Sequence, residues 1–312
     1  MVTIDKIEIK GFFGKGDLEW NLDPVVNILG GKNGSGKSTL FKLCYALLSS
    51  DEIDEKRDKL FSTLFQKAVI TLSNGWSVIW RCETEKDEYI LRMDASNKLY
   101  RTDAIVVLDE NGMERKFSEL KEQTKVFMIN SFEQYAAKAS GYSQLTTQTM
   151  TDPTMLDLMI KDQIDLRNKD FSKTMEDFVD SPDENEEERS VYVQTYKKIY
   201  ESLGHFLQGY DKPFKSTFDF SKDGQRVGIE GLSMGEKQIT LLLLMVSNTN
   251  QAPCIFFMDE PDLSMHIDWK EILIKELHAL NDNMQIIIST HAPSVITGWH
   301  DKVREVDQLI KK

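Results

Sequence analysis

Thr3 to Phe12 (TIDKIEIKGF) alternate apolar and polar side chains, the period-two pattern of a half-buried strand. Val25 to Leu29 (VVNIL) is a short, mostly apolar run that halts at Gly30-Gly31, which predicts a buried strand entering a loop. Thr39 to Leu48 (TLFKLCYALL) then has helical apolar spacing, so strand, glycine loop and helix follow one another. The segment AVITLSNGWSVIWRC sets β-branched and aromatic runs on both sides of Ser73-Asn74-Gly75, a hairpin signal, and AIVVLDENGMERKF repeats it around Asn111-Gly112. With Lys125 to Asn130 (KVFMIN) as one more strand, residues 67–130 predict an antiparallel sheet beside a parallel core. From Ser131 to Leu203 the pattern turns helical, and its acidic run Ser181 to Arg189 reads as a solvated loop at a helix start. Phe214 to Val227 has turn and short-strand character. A helix over Met234 to Val246, a buried strand over Cys254 to Met258, a helix over Asp268 to Leu280 and a last core strand over Gln285 to Ser289 complete the pattern. There is no internal repeat and no heptad run long enough for an extended coiled-coil arm.

A chain of 312 residues is long enough for a sizeable core. We read it as a single α/β domain: residues 1–130 and 228–312 form a mostly parallel core with the antiparallel section at about 67–130, and 131–227 form a helical lobe. Lys+Arg number 38 against 51 Asp+Glu, a net charge of −13, which argues against sequence-blind nucleic-acid binding while leaving room for a local basic groove. Cys44, Cys82 and Cys254 lie too far apart for a CxxC or zinc spacing and read as buried small hydrophobes in a reducing compartment. The longest apolar run, Leu241 to Val246, falls far short of the roughly 18 residues of a membrane span. The first residues lack a signal-peptide core, so the expected location is cytoplasmic, with no membrane contact.

The chemistry starts at Gly31-Lys-Asn-Gly-Ser-Gly-Lys-Ser38, which fits G-x-x-x-x-G-K-[ST] and sits between a predicted strand and a predicted helix. Gly31, Asn33, Gly34, Ser35 and Gly36 would turn backbone N–H groups around a polyphosphate, and the helix N-terminus adds partial positive charge. Lys37 suits the β- and γ-phosphates, Ser38 a Mg²⁺ ion and Thr39 the α-phosphate. Cys254 to Met258 ends in Asp259-Glu260, and an acid at such a strand end lies beside the phosphate loop in a doubly wound sheet. Asp259 suits Mg²⁺, through water; Glu260 suits orienting and deprotonating a water. Leu232-Ser-Met-Gly-Glu-Lys-Gln238 opens the next helix upstream, and Ser233 with Glu236 also reads as an ordinary capping box.

That last segment resembles the signature motif of ABC-type ATPases, and the order phosphate loop, signature, acidic strand, histidine is that of the family. The resemblance implies a P-loop NTPase of ABC type that binds ATP and Mg²⁺ and hydrolyses ATP. It implies a head-to-tail homodimer in which Ser233 and Gly235 of one subunit close over the γ-phosphate held by the other. His291, in Thr290-His291-Ala292-Pro293, matches the switch histidine that contacts the γ-phosphate. A glutamine that touches Mg²⁺ is assigned to Gln134, with Gln144 as the rival, and a base-stacking contact is expected from the loop near Phe12 to Lys15. The turn Glu260-Pro-Asp-Leu-Ser-Met-His266 and the THAP turn resemble the RecF, OLD-nuclease and antiphage-defence branch, such as the ATPases of Septu, retron or PARIS systems. His266 reads equally as a dimer contact or a helix-start residue. The implied role is an ATPase gating an effector protein in trans; the segment from Ala292 to Lys312 is too short to hold a nuclease domain of its own. Alternatives are an ABC transporter subunit, which the turn sequences disfavour, and a RecF/SMC-like DNA-repair ATPase.

Overall fold

A computed structural model describes residues 1–49, 55–81, 91–93, 99–101, 105–130, 154–180, 186–214 and 218–311. Strand β1 (Ile4–Lys10) buries Ile4, Ile7 and Ile9 and exposes Asp5, Glu8 and Lys10, with Lys6 half-buried where the register shifts after Ile4. It pairs antiparallel with β2 (Asp17–Asn21) across a short loop. Strand β3 (Val26–Gly30) is buried at every position and leads into helix α1 (Lys37–Ser49). After α2 (Glu55–Leu64) come the hairpin β4 (Lys67–Leu72) and β5 (Ser77–Arg81), a small separate pair β6 (Leu91–Met93) and β7 (Leu99–Arg101), and then β8 (Ile105–Leu108) and β9 (Glu114–Arg115). These build one antiparallel sheet, ordered β17-β2-β1-β4-β5-β8-β9, whose edge strand β17 is Ile310–Lys311.

The expectation for Lys125 to Asn130 needs correction. Following α3 (Phe117–Gln123), strand β10 (Lys125–Ile129) leaves the antiparallel section and pairs parallel with β14 (Cys254–Asp259). A neighbour more than a hundred residues away in the chain decides this, and nothing in KVFMIN carries it. The parallel sheet runs β10-β14-β15-β3-β16, with β15 at Met284–Ser289 and β16 at Val303–Glu305. Both its faces are covered, which is why its inner strands read as unbroken apolar runs. Ile255 and Phe257 face α1 and the antiparallel sheet; Phe256 and Met258 face the helical side.

That helical side consists of α4 (Met155–Asp180) and α5 (Glu186–Phe206), α6 (Met234–Ser247) and α7 (Ile267–Leu280), with a three-stranded sheet β11 (Asp211–Phe214), β12 (Asp219–Lys222) and β13 (Gln225–Val227). Short helices α8 (Pro293–Ile296) and α9 (Val306–Leu309) flank β16. Cys44 and Cys254 are buried as expected, and burial pushes the Cys254 thiol up to about 12; Cys82 lies outside the described residues.

Candidate functional site

The parallel register lines up three strand ends. Asp259 pairs with Ser289, and Ser289 with Leu29, so the acids of β14, the end of β15 and the loop after β3 share the carboxyl edge of the sheet. That edge is where ligands bind in open α/β sheets. The loop from Gly31 to Ser38 folds there because glycines occupy its tightest points. Gly36 has φ +105°, and a Cβ on it would lie 2.7 Å from the Phe13 ring and 2.9 Å from Phe12, so the loop near Phe12 to Lys15 packs directly on the phosphate loop.

Lys37 is 5% exposed, and its Nζ donates to the Gly31 carbonyl at 2.9 Å and lies 2.8 Å from His291 Nε2. An ammonium has no lone pair, so that imidazole nitrogen accepts. The same Nε2 is 3.2 Å from Glu260 Oε1. A nitrogen that accepts from Lys37 cannot at once donate to Glu260, so the two contacts exclude one another as hydrogen bonds. Ser35 Oγ is buried in the loop with no partner. A buried ammonium held by carbonyls and an imidazole, with an orphaned hydroxyl beside it, is a donor set suited to a polyphosphate. Ser38 and Thr39 are half-buried in the first turn of α1.

Asp259 is 4% exposed. Ser289 Oγ accepts from the Glu260 N–H at 3.1 Å and so turns its own proton to Asp259 Oδ1, at 2.6 Å. Glu260 itself has φ +49°, a left-handed conformation that costs a non-glycine residue about 1–2 kcal/mol. Its N–H bonds to Ser289 hold that turn, which redirects the carboxylate toward His291. The structure thus gathers Lys37, Glu260 and His291 at one sheet edge, with Asp259 at the end of the neighbouring strand pair.

Ser233 and Gly235 are elsewhere. Ser233 caps α6 in a reciprocal box with Glu236, its N–H donating to Glu236 Oε2 at 2.7 Å. With Gly235 it lines a groove of about 420 Å³ shared with Ser264, Met265, His266 and Trp269. The residues lining that groove include none of the phosphate loop. His266 is the N-cap of α7 with an exposed side chain. Gln134 and Gln144 lie outside the described residues. A residue that the sequence reading gave no role is Asn130, one position beyond the Ile129–Met258 pair and therefore level with Asp259; the Oδ1 of Asn130 is buried without a partner. An amide at the end of an apolar strand was the available signal.

The RecF/RecN/SMC N-terminal domain family matches residues 3–309. The Retron Vc95 probable ATPase of Vibrio cholerae is 30% identical over 142 residues, covering 40% of this chain and 28% of that protein. The Retron Ec83 probable ATPase of Escherichia coli is 30% identical over 121 residues, covering 34% of this chain and 22% of that protein. The match therefore spans less than a third of either relative. Among solved structures, an Smc head bound to the C-winged helix domain of ScpA superposes with a TM-score of 0.57 at 16% identity, covering 94% of this chain and 91% of that chain. The SMC head domain from Thermotoga maritima gives 0.51 at 14% identity, covering 94% and 91%. These structures share the fold. Among the described residues no helix is long and apolar enough to cross a membrane.

Proposed function

The chain belongs to the RecF/RecN/SMC N-terminal domain family, the ABC-type ATPases of the RecF/SMC branch, and from that membership we propose that it binds and hydrolyses ATP, closes as a head-to-tail dimer around it, and so gates a partner protein in the cytoplasm. The observation that carries this reading is the convergence of Lys37, His291 and Glu260 at the sheet edge beside the phosphate loop. A γ-phosphate is a stronger acceptor than the Gly31 carbonyl or an imidazole, so it draws Lys37 away from His291. His291, released from Lys37, can then take the tautomer that carries its proton on Nε2 and donate it to the phosphate, leaving Glu260 to take the proton of the attacking water. Mg²⁺ bound with the nucleotide would neutralise phosphate charge, and Ser38 and Asp259 would hold it. Ser233 and Gly235, whose groove includes no residue of their own phosphate loop, suit closing over that of a second subunit through the α6 N-terminus.

The similarity to retron ATPases supports a role in antiphage defence, with the effector on a partner polypeptide. Membership in the family also supports a RecF/SMC-like, DNA-engaging ATPase, which DNA affinity falling steeply with salt would favour. The test of the ATP reading is Lys37→Ala. It removes the buried phosphate-facing charge and is expected to abolish measurable Mg-ATP binding in a fluorescent-nucleotide titration; unchanged affinity would remove the assignment.

A further inference from the structure

The turn after Glu260 holds a second acid that the chemistry above does not use. Asp262 is 4% exposed and is held from two sides. Thr290 Oγ1 donates to Asp262 Oδ1 at 2.9 Å, and Lys270 on α7 pairs with Asp262 Oδ2 at 3.2 Å. Thr290 is 1% exposed and immediately precedes His291. Its hydroxyl also accepts from the Ala292 N–H at 3.0 Å. A backbone N–H only donates, so the polarity of the chain is fixed: Ala292 N–H gives to Thr290 Oγ1, and the hydroxyl proton goes to Asp262. The residues on both sides of His291 are therefore tied to one hydroxyl, and Asp262 orients that hydroxyl.

His291 needs such a tether. Its side chain is 40% exposed, so close packing does not fix the ring, yet its Nε2 stands 2.8 Å from Lys37 and 3.2 Å from Glu260. The backbone at 290–292 must set that position. A carboxylate suits the task because each oxygen takes one donor, a hydroxyl on one side and an ammonium on the other; an amide would turn its NH₂ on one of them.

We infer that Asp262 is a positioning residue for ATP hydrolysis, acting through the Thr290 hydroxyl to hold His291 in reach of Glu260 and the γ-phosphate. The inference rests on the proposed role of His291. It also joins the active site to the exposed turn that follows Asp262, since Leu263 is 44% exposed and Ser264 is exposed too.

The experiment measures kcat, KM and ATP affinity for Thr290→Val, Thr290→Ser, Asp262→Asn and His291→Ala, and for Thr290→Val combined with His291→Ala. Thr290→Val keeps the shape and removes the hydroxyl. It and Asp262→Asn are expected to lower kcat about ten- to a hundredfold, the scale of a small misplacement of a reacting group, with ATP affinity within about threefold of the parent. Thr290→Ser restores the hydroxyl and should return kcat to within about threefold. In the His291→Ala background, Thr290→Val should cost nothing further, because two residues acting as one unit are not additive. A Thr290→Val enzyme with parental kcat overturns the inference. So does a loss that Thr290→Ser fails to rescue, or one that persists in full without His291, since the hydroxyl would then serve the fold alone. If His291→Ala alone leaves kcat unchanged, the reading of His291 itself falls, a result obtained with Asp262 and Thr290 intact and so separate from the others.

Discussion

Gly235 is a glycine for reasons of space. A Cβ there would sit 2.5 Å from the Ser264 carbonyl oxygen, well inside contact distance, and the atom it meets is backbone that cannot swing away. Gly235→Ala is therefore expected to force α6 and the turn before α7 apart and to cost about 1–3 kcal/mol, read as a lower midpoint in thermal or urea unfolding. An alanine variant as stable as its parent would show that the turn yields freely. The same geometry means that a larger residue at 235 tests the fold before it tests any partner. Glu260 allows a cleaner experiment, because the bonds that hold its left-handed turn come from its backbone N–H and not from the carboxylate. Glu260→Gln should keep the turn and ATP binding while turnover drops by about 10²–10⁴-fold, the contribution of a general base. Phosphate release at the parental rate would assign the base to another residue.

At the level of elements, α4 is fastened along the length of α6. Lys237 pairs with Asp157 at 2.7 Å, Arg167 donates to Ser247 Oγ at 2.7 Å, and Asn248 donates to the Gln163 carbonyl at 2.9 Å. Arg167 is 3% exposed, and its guanidinium lies 3.8 Å from the centre of the Tyr196 ring, which ties α5 into the same set. Burial alone would raise the Asp157 carboxyl, but the Lys237 and Thr154 hydrogen bonds outweigh it and hold the group below its ordinary value. A depressed carboxyl adds stability above the unfolded pKa of about 3.9 and loses it as pH falls through the folded value. Lys237→Met, which leaves the acid buried and unpaired, should cost about 3 kcal/mol near neutral pH, and that deficit should shrink below about pH 4. A deficit that stays constant from pH 7 to pH 3 would mean the charge of Asp157 contributes nothing. None of these ties is visible in the sequence, where Lys237 is one more polar position after Gly235. What the sequence did carry were elements with strong periodicity: β3, α1, α6, β14 and β15 all fall within two residues of their expected limits. Strand β10 had the right limits and the wrong partner, because a five-residue apolar run does not encode which sheet it joins.

For the whole molecule, the legible part of the site was the part built by contiguous residues: the phosphate loop, the acids ending β14 and the capped start of α6. The Lys37–His291 contact joins positions 254 residues apart, and only the alignment of strand ends creates it. Ser233 and Gly235 line a groove that includes no residue of the phosphate loop, an arrangement no spacing in the sequence expresses, and it sets the last prediction. Next in the chain to residues that line that groove, Leu263 is 44% exposed and Ile267 58% exposed. Under the proposed composite site, in which nucleotide on a second subunit completes this surface, dimerisation is expected to depend on ATP. Glu260→Gln prolongs the ATP-bound state and should therefore accumulate as a dimer with Mg-ATP and return to monomer when nucleotide is removed. Lys37→Ala, unable to hold ATP, should remain a monomer in both conditions. Light scattering after size exclusion distinguishes the cases. A Glu260→Gln protein that binds ATP and still elutes as a monomer would count against the composite site, because one half of it would have no route to the phosphate that the other half holds.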